Sequence, residues 1–182
     1  MVPSDEIQPA SEKNLDRYGN PPLSWERALE RLEQEFQLQA PGTDDHSHTH
    51  WLATVRPDGR PHVAAVGVVW LHGAFYFSAG PRTRKAKNLA QNPQSVISIA
   101  ADGIDLVLEG KASKVSDDVL LSRVAEALSA LGWTPTVRDG AFYHDYSAPS
   151  AGPPPWEVYE FRPKTIFGVA TREPYGATRW RL

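Results

Sequence analysis

The sequence predicts a mainly β fold of the α+β class, in which a barrel is flanked by helices. Short apolar strand patterns, separated by turn signals, recur from residue 51 to residue 169. A near-continuous apolar run over residues 63–70 is typical of strands buried on both faces, as in a closed barrel packed against a partner. Two longer segments, residues 24–39 and 116–131, have helical spacing instead.

Composition places the chain among ordinary globular proteins. Its 182 residues, 41% apolar and 23% charged, are enough to bury a core as one domain. The net charge of -3 argues against general binding of nucleic acid or a membrane surface. Without cysteine, disulfides and thiolate chemistry are excluded. The start lacks the basic and apolar regions of a signal peptide and no run is long enough to span a bilayer, so we expect a cytoplasmic protein.

The N-terminal part of the chain predicts a polar arm followed by a helix. Residues 1–23 are polar and end in a proline pair, so we expect a flexible arm ahead of a single domain over residues 24–182. Ser24 is suited to cap a helix over residues 24–39, which a Pro-Gly pair then stops. The predicted apolar face consists of Trp25, Ala28, Leu29, Leu32 and Phe36.

Turn signals divide most of the remaining chain into strands. Asp58-Gly59 predicts a hairpin between strands at residues 52–55 and 61–70, because glycine adopts the positive φ that such turns need. Further strands are predicted at residues 75–78, 95–99, 105–112, 156–161 and 165–169.

A second long helix is expected over residues 116–131, with Gly132 after its end. Residues 133–155 then predict a long loop rich in aromatics and proline, of a kind that is usually functional or mobile. Within it, Tyr143 and His144 are weak candidates for proton transfer, and a loop folded onto its own aromatics is the alternative. Stacking on a ligand and ordinary core packing both stay open for Trp133, Trp156 and Trp180.

The strongest functional signal is the basic segment at residues 80–93. Four cations lie within six positions, and the segment contains no acidic residue. It follows the strand at residues 75–78 and begins a short helix that Asn92-Pro93 ends. Helix-start N–H groups and fixed cations favour the same anion, so the junction suits a phosphate, with a solvated basic helix start as the alternative. The cations are Arg82, Arg84, Lys85 and Lys87.

The histidines are weaker signals. His46, His48 and His50 alternate and would share one face of a strand, but in a polar loop beside acidic residues we expect them to be solvated and to hold no metal. His62 and His72 lie at strand starts and turns, where a lone histidine indicates little.

Several of these elements together resemble a known family. Residues 53–62, 75–78 and 84–89, followed by Asn92-Pro93, have an order and spacing similar to the pyridoxamine 5'-phosphate oxidase-like, flavin-binding split-barrel superfamily. The resemblance covers residues 50–115 and, more loosely, the terminal strands. It implies a six-stranded split β-barrel that forms a homodimer, with two cofactor sites at the interface.

The resemblance also implies roles for particular residues. Arg84 and Lys85 match the pair that holds the cofactor phosphate. Phe77 and Ser78 match the strand end that touches the phosphate or the isoalloxazine. The second strand, which lines the ring system in the family, corresponds to Ala65, Val66, Gly67 and Val68.

Two departures from the family pattern bear on the activity. True pyridoxamine-phosphate oxidases carry an arginine that opens the second-strand motif and a lysine that closes it, where this chain has Ala64 and Val69. Their C-terminal arginine-histidine motif is also absent from residues 177–182. Oxidation of pyridoxamine phosphate is therefore not expected, and the tail is more similar to members that use FMN or coenzyme F420.

The choice of cofactor depends on charge. Arg84 and Lys85 would suffice for FMN, whereas the deazaflavin F420 adds a phosphodiester and an oligoglutamate tail that reward the extra cations Arg82 and Lys87. We therefore expect an oxidoreductase that transfers hydride between F420 and a conjugated, apolar small-molecule acceptor. The alternatives are an FMN-binding oxidoreductase and a non-catalytic flavin or haem carrier.

Overall fold

The computed structural model describes residues 7–35, 49–71, 73–145 and 151–182. Within these ranges the chain forms eleven strands and three helices. In chain order they are β1 (Ser11–Asn14), α1 (Trp25–Glu35), β2 (His50–Val55), β3 (Pro61–Val66), β4 (Val68–Leu71), β5 (Ala74–Ala79), α2 (Arg84–Gln91), β6 (Gln94–Ala101), β7 (Ile104–Lys114), α3 (Asp118–Ala130), β8 (Thr136–Arg138), β9 (Ala141–Tyr143), β10 (Glu157–Ala170) and β11 (Ala177–Arg181).

One antiparallel sheet of nine strands forms a split β-barrel, as the sequence predicts. Its main path runs β1-β11-β10-β7-β6-β2-β3, and β4 joins through β5, which pairs with β10. The count exceeds the six expected strands because the run at residues 61–70 divides in two and because β1 and β11 join the sheet. The strands predicted at residues 156–161 and 165–169 are one long strand, β10.

The strand predicted at residues 61–70 is two strands, so the expectation of one continuous strand there is wrong. Gly67 separates β3 from β4, and β3 alternates between exposed and half-buried side chains. Val63 is 56% exposed, because no layer of the described chain covers the outer face of β3. The barrel is therefore split beside β3, whereas β4 turns away to pair with β5.

Part of the predicted N-terminal arm, within the described residues 7–23, is a strand of the sheet. Strand β1 pairs with β11 from Ser11 opposite Arg181 to Asn14 opposite Thr178, so this part of the arm is an edge of the sheet. Its polar composition is explained by that position, since all four strand residues are exposed. Residues 1–6 lie outside the described ranges.

Helix α1 closes one end of the barrel with the apolar face that the sequence predicts. Trp25, Ala28 and Leu32 are buried in the core, and Trp25 meets Trp180 edge-on with ring centroids 5.6 Å apart. The continuation of the helix to residue 39, with Phe36, lies outside the described residues.

A second core forms where α3 packs on the outer side of β4 and β5. Asp117 caps α3, and Gly132 follows its end with a φ of 89°. The predicted loop at residues 133–155 is not all loop, because it contains the β8–β9 hairpin. Phe142 and Trp156 exchange two backbone hydrogen bonds of 2.9 Å, which fasten the hairpin to this core.

Gly110 in β7 is required by a close approach of β10. A Cβ at this position would collide with the Arg162 carbonyl oxygen and lie 2.8 Å from the Pro163 Cα. The pairing of β10 with β7 shifts register between Pro163 and Thr165, directly opposite Gly110. The absence of a side chain at Gly110 therefore makes room for the irregularity in β10.

We expect Gly110→Ala to lower the free energy of unfolding by about 1–3 kcal/mol, because backbone atoms that cannot rotate away would have to move. Urea denaturation measures the change. Ser113→Ala, at an exposed position of the same strand, is the matched control and should stay within about 0.5 kcal/mol of the parent. Equal midpoints for the two variants would show that β10 does not need the glycine.

Candidate cofactor-binding site

The basic segment begins with a tight turn that starts α2. Thr83 is the N-cap of this helix; its backbone N–H and its hydroxyl both donate to the Gly80 carbonyl oxygen, at 3.0 and 2.7 Å. The Thr83 hydroxyl oxygen also accepts a long hydrogen bond of 3.4 Å from the Ala86 N–H. Arg84 and Lys85 consequently occupy the first turn, where backbone N–H groups have no partner within the helix.

Lys85 is the most unusual residue of this turn because it is a buried cation. Only 5% of its surface is exposed, and this burial lowers the pKa of its ammonium group. Within the described parts of the chain, no carboxylate forms an ion pair with Lys85 or with the exposed Arg84. Burying a cation is costly unless an anion offsets it, so this position favours an anionic ligand.

A buried side-chain contact seats α2 on the sheet. The Asn88 side-chain amide donates to the Thr54 hydroxyl oxygen at 3.0 Å, and the Thr54 hydroxyl donates to the His62 carbonyl oxygen at 3.3 Å. Thr54 and His62 are opposite each other in the β2–β3 pairing, so both face inward. This contact holds the first turn of α2 close to the inner face of the edge strand β3.

His62 belongs to the same positive cluster. Burial lowers the pKa of its imidazole, and the charges of Arg56, Lys85 and Arg84 lower it further. The Asp58 carboxylate is paired with Arg60 at 2.7 Å; that hydrogen bond lowers the pKa of Asp58 and the charge of Arg56 lowers it further, so Asp58 interacts with one cation of the cluster. Three cations and a histidine thus share one region of positive potential.

This arrangement fits a phosphate group. A phosphate would bring a counter-charge to buried Lys85, which has no carboxylate partner in the described ranges, and the first-turn N–H groups of α2 would add hydrogen bonds to the phosphate oxygens. Arg84 is exposed and can reach a ligand as a planar, bidentate donor. The cluster can therefore bind a dianion, which the sequence predicts for Arg84 and Lys85.

The predicted ring-lining residues of the second strand do not all face the same way. Ala65 is exposed on the outer face of the sheet, opposite Trp51, whereas Val66 faces inward opposite His50 and is half-buried. Gly67 is exposed at the break between strands, and the Val68 side chain is fully buried in the core. Val68 can therefore meet a ligand only through its backbone.

Phe77 and Ser78 lie on opposite faces of β5. The Phe77 ring is buried and stacks on Tyr159 with centroids 5.3 Å apart, so only its backbone is open to a ligand. Ser78 is half-buried opposite Val158, two residues before the Gly80 turn. The strand end thus approaches the Gly80 turn, and the Ser78 hydroxyl stays a predicted contact.

Arg82 and the catalytic candidates line two clefts that share Pro154. Arg82 lines a cleft of about 380 Å³ between the Gly80 turn and the prolines of residues 151–155. Tyr143 and His144 line a second cleft of about 280 Å³ beside the β8–β9 hairpin. Lys87 is exposed on α2 and lines neither.

The tryptophans and most histidines singled out from the sequence lie in the cores or outside the described residues. Trp133, Trp156 and Trp180 pack within the two cores. His50 is buried in β2, and the described residues contain no group of histidines and carboxylates able to hold a metal. His46, His48 and His72 lie outside the described residues.

Sequence reasoning missed Arg56, Thr54 and Asn88 and gave little weight to His62. Strand alternation offered a signal, because a hairpin around Asp58-Gly59 places residue 54 opposite residue 62. The approach of α2 to that pair was not available from local patterns.

The family model described as Pyridoxamine 5'-phosphate oxidase matches residues 43–170. Since the match spans more than half of the chain, the protein belongs to this family. The comparison with curated proteins finds no match.

Solved structures with similar folds bind different cofactors. An FMN-binding protein related to pyridoxamine 5'-phosphate oxidase, from Nostoc punctiforme, has a TM-score of 0.56 at 18% identity, covering 86% of this chain and 89% of that one. A FAD-binding protein from Mesorhizobium loti has a TM-score of 0.53 at 17% identity, covering 88% and 96%. A heme binding protein from Mycobacterium smegmatis has a TM-score of 0.52 at 20% identity, covering 81% and 57%. At these identities the likeness shows the fold alone.

No helix in the described part of the chain combines the length and the apolarity of a membrane span.

The geometry around His62 predicts a pH-dependent site. A folded-state pKa below the ordinary 6.5 means that the folded protein binds fewer protons than the unfolded chain, so His62 contributes stability above pH 6.5 that is lost as pH falls through the folded pKa. Binding of a phosphate beside His62 should raise that pKa. An NMR titration of the ring, assigned with His62→Gln, measures the folded-state pKa of His62 with and without phosphate.

The expected result is a His62 pKa below 6.5 without phosphate and a higher value after inorganic phosphate is added. An upward shift follows because the bound anion favours the imidazolium form. A His62 pKa at or above 6.5 in phosphate-free solution would contradict the burial of the ring and the placement of the three cations around it.

Proposed function

We propose that the protein is an oxidoreductase that holds a flavin or deazaflavin by its phosphate at Arg84 and Lys85. The single observation that carries the proposal is the buried Lys85, which has no carboxylate partner among the described residues and lies in the first turn of a helix, where backbone N–H groups favour an anion. Membership of a superfamily that includes oxidoreductases supports the same conclusion.

The particular reaction we propose is hydride transfer between coenzyme F420 and a conjugated, apolar acceptor, with FMN as the alternative cofactor. Arg82 and Lys87 support F420, because both are exposed cations flanking the clamp. Each is screened by solvent, so the preference rests on their combined effect on a polyanionic tail.

The contribution of the chain to this reaction is binding and orientation. When bound, a flavin or deazaflavin supplies the hydride chemistry. Arg84 and Lys85 would fix the phosphate end, and Asn88 keeps the first turn of α2 seated on β2 while they do so. Tyr143 and His144 stay weak candidates for delivering a proton, since they line a neighbouring cleft.

We expect Arg84→Ala with Lys85→Met to weaken FMN or F420 binding by roughly 100-fold or more, because two charge-assisted phosphate contacts are lost. Methionine retains most of the buried volume of Lys85, so the fold should survive. Fluorescence titration measures the affinity. Arg123→Ala, at an exposed position on α3, is the matched control and should bind like the parent.

The same titration decides between the cofactors. Arg82→Ala with Lys87→Ala should weaken F420 binding by roughly 3- to 10-fold and leave FMN binding unchanged, because only the deazaflavin tail would reach these cations. Submicromolar FMN binding with no F420 binding would overturn the preference for F420. Tight binding of either cofactor without reduction of any quinone, enone or tetrapyrrole acceptor would favour a carrier instead.

We further propose that the protein is a homodimer that associates through the outer face of the sheet. Register aligns Phe167, Val107, Ser98, Trp51 and Ala65 in one continuous row across β10, β7, β6, β2 and β3. Trp51 is 48% exposed there, an unusual position for a large aromatic unless another surface covers it. A second copy is the occupant that the family resemblance implies.

Trp51→Glu should convert the dimer to a monomer, because a charge would be buried at the centre of the interface. Light scattering after size-exclusion chromatography measures the mass. Val119→Glu, at a position that is 62% exposed on α3, places the same charge away from this face and should leave the dimer intact. A parent protein that is monomeric at all concentrations would contradict the proposal.

A further inference from the structure

We propose that the cleft beside the β8–β9 hairpin binds the anionic group of an aromatic or conjugated organic acid, through Arg138 held against Tyr143. The proposal rests on the proposed function, because this ligand would be the acceptor of the hydride. Its physical basis is independent of the cofactor, because it depends on the cleft, a stacked arginine and an apolar strip of prolines.

The position of the Arg138 guanidinium is suited to binding an anion. Its guanidinium carbon lies 4.2 Å from the centre of the Tyr143 ring, a cation–π contact between the two strands of the hairpin. No carboxylate in the described part of the chain forms an ion pair with Arg138. The stack restricts the guanidinium while its N–H groups stay available at the edge, which suits a planar carboxylate or sulfonate.

The cleft has further polar groups that an organic acid can use. It has a volume of about 280 Å³. The His144 Nδ1 accepts a hydrogen bond of 2.9 Å from the Asp145 N–H, which orients the ring at the edge of the cleft. Asp145 also lines the cleft and opposes a bare anion. A ligand therefore needs apolar contacts in addition to its charge. The lining residues are Thr134, Thr136, Arg138, Tyr143, His144, Asp145 and Pro154.

Those apolar contacts are available next to the cleft. Pro154 also lines the larger cleft of about 380 Å³, together with Pro153 and Pro155, and this cleft reaches Gly80 and Thr83 at the start of α2. A ligand with its charge at Arg138 would lay its apolar part along the prolines, toward the phosphate-binding turn. The ligand class is thus an elongated aromatic or conjugated acid rather than an inorganic anion.

The test uses a fluorescent pair that differs only in charge: anilinonaphthalene sulfonate and its uncharged parent, N-phenylnaphthylamine. Both are titrated into the full chain and into Arg138→Ala, Tyr143→Ala and Tyr143→Phe. Arg123→Ala, an exposed arginine on α3, controls for overall charge. Circular dichroism and thermal unfolding identify any variant that fails to fold.

We expect Arg138→Ala and Tyr143→Ala to weaken binding of the sulfonate by roughly 5- to 10-fold and that of the uncharged parent by less than about 2-fold. Tyr143→Phe keeps the ring, so it should bind the sulfonate like the parent protein, as should Arg123→Ala. Unchanged sulfonate affinity in folded Arg138→Ala, or equal losses for the two dyes, would overturn the proposal.

The titration separates this proposal from the proposed function. FMN and F420 affinities measured on Arg138→Ala should equal those of the parent, because Arg138 is not part of the phosphate clamp. If Arg84→Ala with Lys85→Met leaves cofactor binding intact while Arg138→Ala weakens the sulfonate, the cleft stands and the cofactor assignment falls. The reverse pattern would contradict the cleft proposal and support the cofactor assignment.

Discussion

The long strand β10 is the constraint on which the rest of the structure depends. It pairs with β7 along most of its length and with β5 and β11 in its two halves, so one segment holds three other strands of the sheet together. The register shift at Pro163–Thr165, opposite Gly110, lies between those halves. Pairing of Glu157 with Ala79 then fixes the end of β5, from which the Gly80 turn and α2 begin. A local property of the strand thereby positions a site at the far end of β5.

The site combines a rigid support with an electrostatic imbalance. Asn88 and Thr54 join α2 to the sheet through a buried hydrogen bond, which restricts the first helical turn. Lys85 is buried in that turn without a carboxylate partner among the described residues, and His62 lies in the same positive potential. Since folding alone gains little from an unpaired buried cation, the arrangement is most simply explained by a ligand that supplies the negative charge.

The sequence predicted more of the elements than of their connections. Turn chemistry at Asp58-Gly59 and helix ends at Asn92 and Gly132 were predicted correctly, because those signals are local. The strand predicted at residues 61–70 was wrong in its continuity, because an apolar pattern does not show where the chain breaks between two strands. The polar strand β1 was missed because an edge strand needs hydrogen-bonding partners and not an apolar face.

The sequence by itself determined the fold class, the basic junction and the pair Arg84 and Lys85, because each depends on residue types at close spacing. The tertiary structure decided which of these cations is buried, since that depends on how α2 packs against β2 and β3. It also brought Arg56 and His62 to the cluster and turned Ala65 to the outer face. Burial and facing are properties of packing between distant segments, so no local pattern contains them.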